Sequence, residues 1–391
     1  MTLIAPTPSP PDPTRVSDQY HMVVVQPDTF CNLDCPFCYL TLRKERHPMQ
    51  PGVAAAVAAD IALQNAEHQV VVLWHGSEPT AVGPARFREL VAPFEQLRAA
   101  GKLRHSIQTN ATLIDSTWCE LFLEYDVQVG VSIDGPKDAS ARVNLAGRSV
   151  HDQITAGAQR LIAAGVDTSV IAVITPETAH RGREITAYLD GFGFRQIGFN
   201  LEETEGANTE RPMVTMGAAR QFWRDVIGYC RSAEKAPNIR ELGSLSRYLR
   251  PGNVPGRDVL PTVMFNGDII LVSPELAGVA SPEHHDFVVG NIRHETIQGV
   301  LTRHHRVPYV ADFERGLTMC KNDCPFWATC YGGYGSNRYC ETGRFDITET
   351  QHCQGARQAL VLAVLDTADP DTDHDLITTI DTLTQGALRD R

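Results

Sequence analysis

Residues 21–39 read His21-Met-Val-Val-Val-Gln-Pro-Asp28-Thr-Phe-Cys31-Asn-Leu-Asp-Cys35-Pro-Phe-Cys38-Tyr39. A β-branched apolar run stops at a proline and hands over to three cysteines spaced x3 and x2. The run predicts a buried strand, and the cysteines fall in the loop that leaves its C-terminal end.

Five more runs of the same kind follow: QVVVLWHG (69–76), RHSIQTNAT (104–112), VQVGVSIDG (127–135), TSVIAVITP (168–176) and RQIGFNLEE (195–203). Stretches rich in Ala, Leu and Glu at helical period separate them, the signature of repeated βα units around a parallel sheet. Most runs are continuous rather than alternating, so they should be covered on both faces, as in a barrel or a doubly wound sheet. Polar residues gather at their C-terminal ends, where ligands bind in either architecture.

The rest of the chain divides by composition. Residues 1–20 carry five prolines in the first thirteen positions and predict a flexible extended arm. Residues 21–206 hold the six βα units. Residues 207–260 read as a helical connector that ends where Pro and Gly interrupt Arg250–Gly256. Residues 261–365 open with PTVMFNGDIILVSPE, a hairpin turning at Asn266-Gly267, and include a cysteine-rich segment at 320–353. Residues 366–391, with seven Asp and two Arg, predict a solvated acidic tail.

Composition narrows the function classes. The 391 residues are 42% hydrophobic and 21% charged, which excludes a wholly disordered or collagen-like chain. A formal charge of −12 would repel phosphate backbones, so nucleic acid is not an expected partner. No apolar stretch approaches the roughly 20 residues that cross a bilayer, and the N-terminus has no secretory pattern, which predicts a soluble, cytoplasmic protein without membrane contact. In a reducing compartment the ten cysteines are metal ligands or core residues rather than disulfides.

Thiolates suit iron, and a closed four-iron cluster takes four of them. Cys31, Cys35 and Cys38 are only three. One iron would stay open, which is what separates a reactive metal site from a sealed one. A structural zinc knot with a remote fourth ligand is the competing reading of the same residues.

With that loop, the chain resembles the radical S-adenosylmethionine (SAM) superfamily, whose hallmark is a CxxxCxxC loop after the first strand of a partial (β/α)6 TIM-type barrel. Trp74-His75-Gly76-Ser77-Glu78-Pro79 is similar to the family's GGEP segment, with Ser77 in place of the second glycine. Ile107-Gln108-Thr109-Asn110 and Val131-Ser132-Ile133-Asp134-Gly135 are similar to its strand-three and strand-four motifs. The resemblance implies that Cys31, Cys35 and Cys38 hold a SAM-binding 4Fe-4S cluster and that Gly76, Ser77, Glu78, Pro79, Gln108 and Asn110 border SAM. It also implies that Ser132 and Asp134 lie near the ribose and Arg142 near the carboxylate. Glu202 and Glu203, ending the sixth strand, are candidates for substrate contact or a general base.

A second constellation is Cys320-x3-Cys324-x5-Cys330, then Cys340 and Cys353, around the glycine-rich Tyr331-Gly-Gly-Tyr-Gly-Ser-Asn337. Glycines let the backbone crowd a cubane and aim N–H groups at its sulfurs. The segment resembles a SPASM auxiliary domain, and Gly335-Ser-Asn337-Arg-Tyr together with Phe345-Asp-Ile-Thr-Glu349-Thr-Gln-His-Cys353 resembles cyclophane-forming peptide maturases. Full SPASM domains place a cysteine in the preceding hairpin, where this chain has Ser273. One auxiliary 4Fe-4S cluster is expected, held by Cys320, Cys324, Cys330 and Cys353, with Cys340 as the competitor for the fourth place. Zinc at these residues is again the alternative.

The resemblance implies an enzyme that cleaves SAM to a 5′-deoxyadenosyl radical and joins an aromatic ring to a side-chain carbon in a ribosomal precursor peptide. A flavodoxin- or ferredoxin-like protein would supply the electron. Thioether formation, epimerisation and formylglycine formation are alternatives within the family. An iron–sulfur electron carrier is an alternative outside it, against which the missing fourth cysteine beside Cys38 argues.

Overall fold

The computed structural model describes residues 12–64 and 66–368, together with Ile377, Thr379, Ile380 and Leu383. Six parallel strands stand in chain order: β1 (Met22–Val25), β2 (Val70–Trp74), β3 (Leu103–Thr109), β4 (Gln128–Ser132), β5 (Thr168–Ile174) and β6 (Ile197–Leu201). Five of the six apolar runs contain one of them whole, and the run 104–112 holds all of β3 but Leu103. The crossovers between the six strands of this partial (β/α)6 barrel carry α1 (Pro51–Gln64), α2 (Pro84–Val91), α3 (Ser116–Glu124), α4 (His151–Ala163) and α5 (Gly182–Asp190). Local chemistry sets where these helices start. Pro51 and Pro84 occupy first-turn positions that need no N–H donor, and Asp115 caps α3 by accepting from Trp118 N at 3.0 Å.

The two faces of the strands differ. Val70, Val72 and Trp74 are buried against the helix layer, where Trp74 meets the edges of Phe87 and Phe94 at 5.2 and 5.8 Å between ring centres. Burying a side chain such as Phe87 contributes about 1.5–3 kcal/mol. Leu73, Ile171 and Val173, on the alternate positions, line an internal cavity instead. The expectation of cover on both faces thus holds for the outer face only, and the inner face is held open.

The sheet does not end with the barrel. β7 (Thr262–Val263) pairs parallel with β1, and β8 (Asp268–Ile270) and β9 (Val288–Asn291) extend it antiparallel, giving the order β6-β5-β4-β3-β2-β1-β7-β8-β9. Gly267, at φ +94°, makes the expected turn. The boundary read at residue 260 therefore falls inside one continuous sheet. Of the connector helices, α6 (Met216–Ser232) packs on α5 and α7 (Arg240–Leu249) on β6. The C-terminal part adds α8 (Pro308–Asp323), α9 (Ser336–Thr342) and α10 (Ala359–Asp366), the last lying against α6.

Two expectations need correction. Of the predicted flexible arm, residues 1–11 lie outside the described residues, while 12–20 are packed: Val16 N donates to Glu314 at 2.9 Å, and buried Tyr20 donates to Asp60 at 2.6 Å. Of the predicted solvated tail, residues 369–376, 378, 381–382 and 384–391 lie outside the described residues, while Asp366 ends α10 and pairs with Arg220, and Ile380 and Leu383 are buried in the core. Their apolar side chains outweigh the acidic composition around them. Among the described residues, no helix is long and apolar enough to cross a membrane.

Candidate active site between two cysteine clusters

The loop after β1 begins with an Asx turn. Buried Asp28 accepts from Thr29 N (2.7 Å), Phe30 N (3.2 Å) and, from the returning chain, His47 N (2.9 Å). Cys31 N bonds Arg43 O, and Asp34 N bonds Val143 O, so the loop is held at both flanks. Cys31, Cys35 and Cys38 line one cavity of ≈ 290 Å³ at the C-terminal ends of the strands. Burial pushes all three thiols up, Cys31 to about 12 with Glu78 adding to the effect, while Arg142 pulls Cys35 back down. Metal binding there must displace protons.

The same cavity is lined by Ser77, Glu78, Gln108, Asn110, Ser132 and Arg142. Asn110 Nδ2 donates to Asn32 at 2.9 Å and lies 3.9 Å from Cys31 Sγ, joining β3 to the cysteine loop. Gln108 donates to Ser132 Oγ at 2.9 Å across the space above Gly130, where a Cβ would come within 2.2 Å of the Gln108 amide oxygen. Glu78 is a clasp: its carboxylate accepts from Thr80, from Thr109 Oγ1 at 2.6 Å and from Asn110 N at 2.7 Å.

Gly76, Pro79 and Asp134 lie off the cavity wall. Gly76 turns the backbone at φ +92° and accepts from Gln26, Pro79 starts the turn after β2, and Asp134 holds Arg142 at 2.8 Å. These three shape the wall rather than form it. The fit to a SAM-ligated cluster rests on the donor set: three thiols with one coordination place to spare, plus Ser77 Oγ and Arg142 Nε, both buried without a partner. Among the described residues no three His, Cys, Asp or Glu side chains converge on a point that would hold one metal ion; the thiols of a cubane each hold a different iron.

The two candidate bases separate. Glu202 is buried and committed, accepting from Arg211 Nε at 2.5 Å and from Asn208, so it anchors the loop after β6 and is no free base. Glu203 faces the cavity with Oε2 2.8 Å from His352 Nδ1. Two carboxylates missed from sequence join it. Glu205 is pushed well above its ordinary range by burial and by Glu203 and Glu275, and Glu275 is raised mainly by burial, with the Ser273 hydroxyl bonded to it. Three glutamates within 202–205 at a strand end were a usable signal for Glu205; Glu275 gave none. Tyr39, whose burial keeps it a phenol, shares a 2.8 Å hydrogen bond with His75 Nε2, and burial pulls His75 down to about 4.

A second cavity is lined by Cys320, Cys324, Cys330 and Cys353. Cys340 is not on its wall; it stands among Glu205, Glu203 and Glu275 beneath the backbone of Gly206. Close packing explains the glycines: a Cβ on Gly332 would lie 2.5 Å from Leu317, and on Gly335 2.4 Å from Val272. Arg338 Nη2 lies 3.2 Å from Cys320 Sγ, and Gln358 Nε2 lies 3.8 Å from Cys353 Sγ. Arg257 donates to Tyr331 O and to Gly333 O, and Arg357 lines the cavity. These arginines were not singled out from sequence, since nothing local marks an arginine that packs against a distant cysteine segment. The donor set, four thiols approached by N–H groups of buried Arg338 and of Gln358, with Arg357 on the same wall, fits a closed cluster.

A third cavity of ≈ 380 Å³ adjoins both. It shares Leu73, His75, Glu203, Glu205 and Glu275 with the first, and Tyr334, Asn337, His352 and Arg357 with the second.

A partial barrel with three thiols after its first strand defines a class of SAM-cleaving enzymes, and comparison with known proteins agrees. Residues 25–189 match the model of the radical SAM superfamily. An uncharacterised protein of Synechocystis is 30% identical over 366 residues, covering 88% of this chain and 91% of its own. The chain belongs to the radical SAM superfamily and is an enzyme of it. A serine-type anaerobic sulfatase-maturating enzyme of Bacteroides thetaiotaomicron is 33% identical over 162 residues, 39% of each chain. In fold, the chain is similar to native anSMEcpe with bound AdoMet and Cp18Cys peptide (TM-score 0.73, 18% identity, 92% of this chain and 99% of that one). It is also similar to Streptococcus suis SuiB bound to precursor peptide SuiA (TM-score 0.65, 17% identity, 86% and 76%).

Proposed function

We propose that this enzyme modifies a ribosomally made precursor peptide by joining an aromatic ring to an unactivated side-chain carbon. The observation that carries the reading is the ≈ 380 Å³ cavity that adjoins both thiol sets, which offers a peptide segment a place between the loop thiols and the four thiols of the C-terminal part. When bound, the SAM-ligated cluster supplies a 5′-deoxyadenosyl radical and the auxiliary cluster a one-electron acceptor. Ser77, Asn110 and Arg142 orient SAM beside the loop. Glu203, at the meeting of the cavities, accepts the proton that leaves the ring when aromaticity is restored. Glu202, held by Arg211, fixes the strand end from which Glu203 projects. A reductase-type partner of the flavodoxin or ferredoxin kind supplies the starting electron.

The sulfatase-maturating relatives favour a second reading, oxidation of a serine or cysteine to formylglycine. Against it stands the thiol inventory: Ser273 occupies the hairpin position, and Cys119 and Cys230 are buried in helices away from both cavities. Incubation with SAM, reductant and candidate precursor peptides tests the proposal. Loss of two hydrogens is expected, but serine oxidation gives the same mass, so an aldehyde reagent must decide. A product that reacts with hydroxylamine overturns crosslinking; an unreactive product whose fragments stay joined supports it.

A further inference from the structure

Arg338 is buried in the C-terminal part, with 2% of its surface exposed, and both terminal nitrogens of its guanidinium are bonded. Nη1 donates to Phe345 O at 3.2 Å, and Nη2 donates to Gly332 O at 2.9 Å while lying 3.2 Å from Cys320 Sγ. The ring of Phe313 lies 5.4 Å away. Gly316 makes room for it, since a Cβ there would stand 2.2 Å from Nη1. A cation desolvated this thoroughly needs a compensating anion, and among the described residues no carboxylate is bonded to it. What its guanidinium faces instead is cysteine sulfur, Cys320 Sγ at 3.2 Å on the wall that Cys324, Cys330 and Cys353 share.

The other charges near the thiols are placed differently. Arg257 spends its donors on the carbonyls of Tyr331, Gly333 and Pro13, and Arg357 lies over Tyr334. The nearby carboxylate, Glu349, bonds Gln358 at 2.7 Å, and Gln358 in turn approaches Cys353. Of the three arginines, Arg338 alone reaches a thiol sulfur.

Resting on the reading of Cys320, Cys324, Cys330 and Cys353 as a cluster site, we infer that Arg338 sets the reduction potential of the auxiliary cluster. Its fixed positive charge and N–H contact to Cys320 favour the more negative, reduced state. Net charge and hydrogen bonds to sulfur are the levers by which a protein tunes such a centre. The same placement makes Arg338 a positioning residue for Cys320.

Redox titration of the reconstituted full-length enzyme, followed by electron paramagnetic resonance, tests this. The Cys31/Cys35/Cys38→Ala variant identifies the auxiliary signal. Arg338→Gln, which keeps an N–H donor but removes the charge, is expected to lower the reduced-to-oxidised ratio at fixed potential at least tenfold, about 59 mV for a one-electron couple. Arg338→Lys, which keeps the charge, is expected to stay within about threefold of wild type. A Gln variant with full auxiliary iron and an unshifted signal overturns the inference, as does a Lys variant shifted as far as Gln. If Gln loses the cluster, Lys decides: retained iron and an unshifted signal support the charge role, and loss of iron in both folded variants overturns it. Wild-type protein that binds only about four iron atoms, all lost with the barrel cysteines, refutes the cluster site itself, a separate failure.

Discussion

Glu203 Oε2 stands 2.8 Å from Nδ1 of His352, the residue before Cys353. The last barrel strand and the cysteine-rich C-terminal segment thus meet through two side chains rather than through an apolar interface alone. Glu203→Gln keeps the shape and removes the base. Product formation is expected to fall about 10²-fold, the lower range of general-base contributions, while 5′-deoxyadenosine made without peptide is unchanged. Chromatography of both products from one reaction checks this; equal losses in the two would assign Glu203 a purely structural part.

Iron content separates the two thiol sets. The reconstituted protein should bind about eight iron atoms, the sum of two four-iron clusters. Replacing Cys31, Cys35 and Cys38 with Ala should remove about half the iron and all SAM cleavage. Cys330→Ala should remove the other half and most of the peptide product while leaving SAM cleavage. Cys340→Ala should keep the full complement, because that thiol faces Glu205 rather than the other four. Loss of iron in the Cys340 variant would reassign the fourth ligand.

Asp134 and Arg142 form a pair buried from both sides, with Val173 N as a further donor to the same carboxylate oxygen. Asp134→Ala leaves the guanidinium uncompensated beside the cysteine loop. Removing one partner of a buried pair costs about 3–5 kcal/mol, and denaturant unfolding under anaerobic conditions should show it. SAM affinity should weaken as well, since Arg142 would no longer be aimed at the cavity.

His105 is fully buried, accepts from Trp74 Nε1 at 3.2 Å, and is pulled down to about 3 by desolvation. Between pH 6.5 and about 3 the unfolded chain therefore takes up a proton that the folded one refuses. Stability from this residue is complete above pH 6.5 and falls as the pH drops. Urea unfolding at pH 7.0 and 5.5 should show a smaller loss for His105→Phe than for wild type; identical losses would disprove the assignment.

Much of the barrel was legible because each strand is a local pattern. The runs at 69–76 and 168–176 need no distant information to read as buried strands, and the x3, x2 spacing of Cys31, Cys35 and Cys38 is local too. What escaped was set by long-range packing. The parallel pairing of Val24 with Thr262 has no signature in either segment, so the C-terminal hairpin looked like a separate unit. Glu202 and Glu203 are indistinguishable in sequence, and only the arrival of Arg211 and His352 parts them. Tyr20, Ile380 and Leu383 were hidden by the prolines and aspartates around them.

The parallel pairing of β1 with β7 also governs the order in which this protein is made. β1 leaves the ribosome first, gains β2 soon after, and keeps its other edge bare until Thr262 and Val263 emerge. An unpaired apolar edge is a template for wrong partners. A nascent chain stopped within the connector should therefore be captured by chaperones, whereas one that has released the hairpin should not. The hairpin in this sense covers the edge that β1 leaves bare, and a shortened protein ending near residue 260 is expected to aggregate rather than survive as an independent SAM-cleaving module.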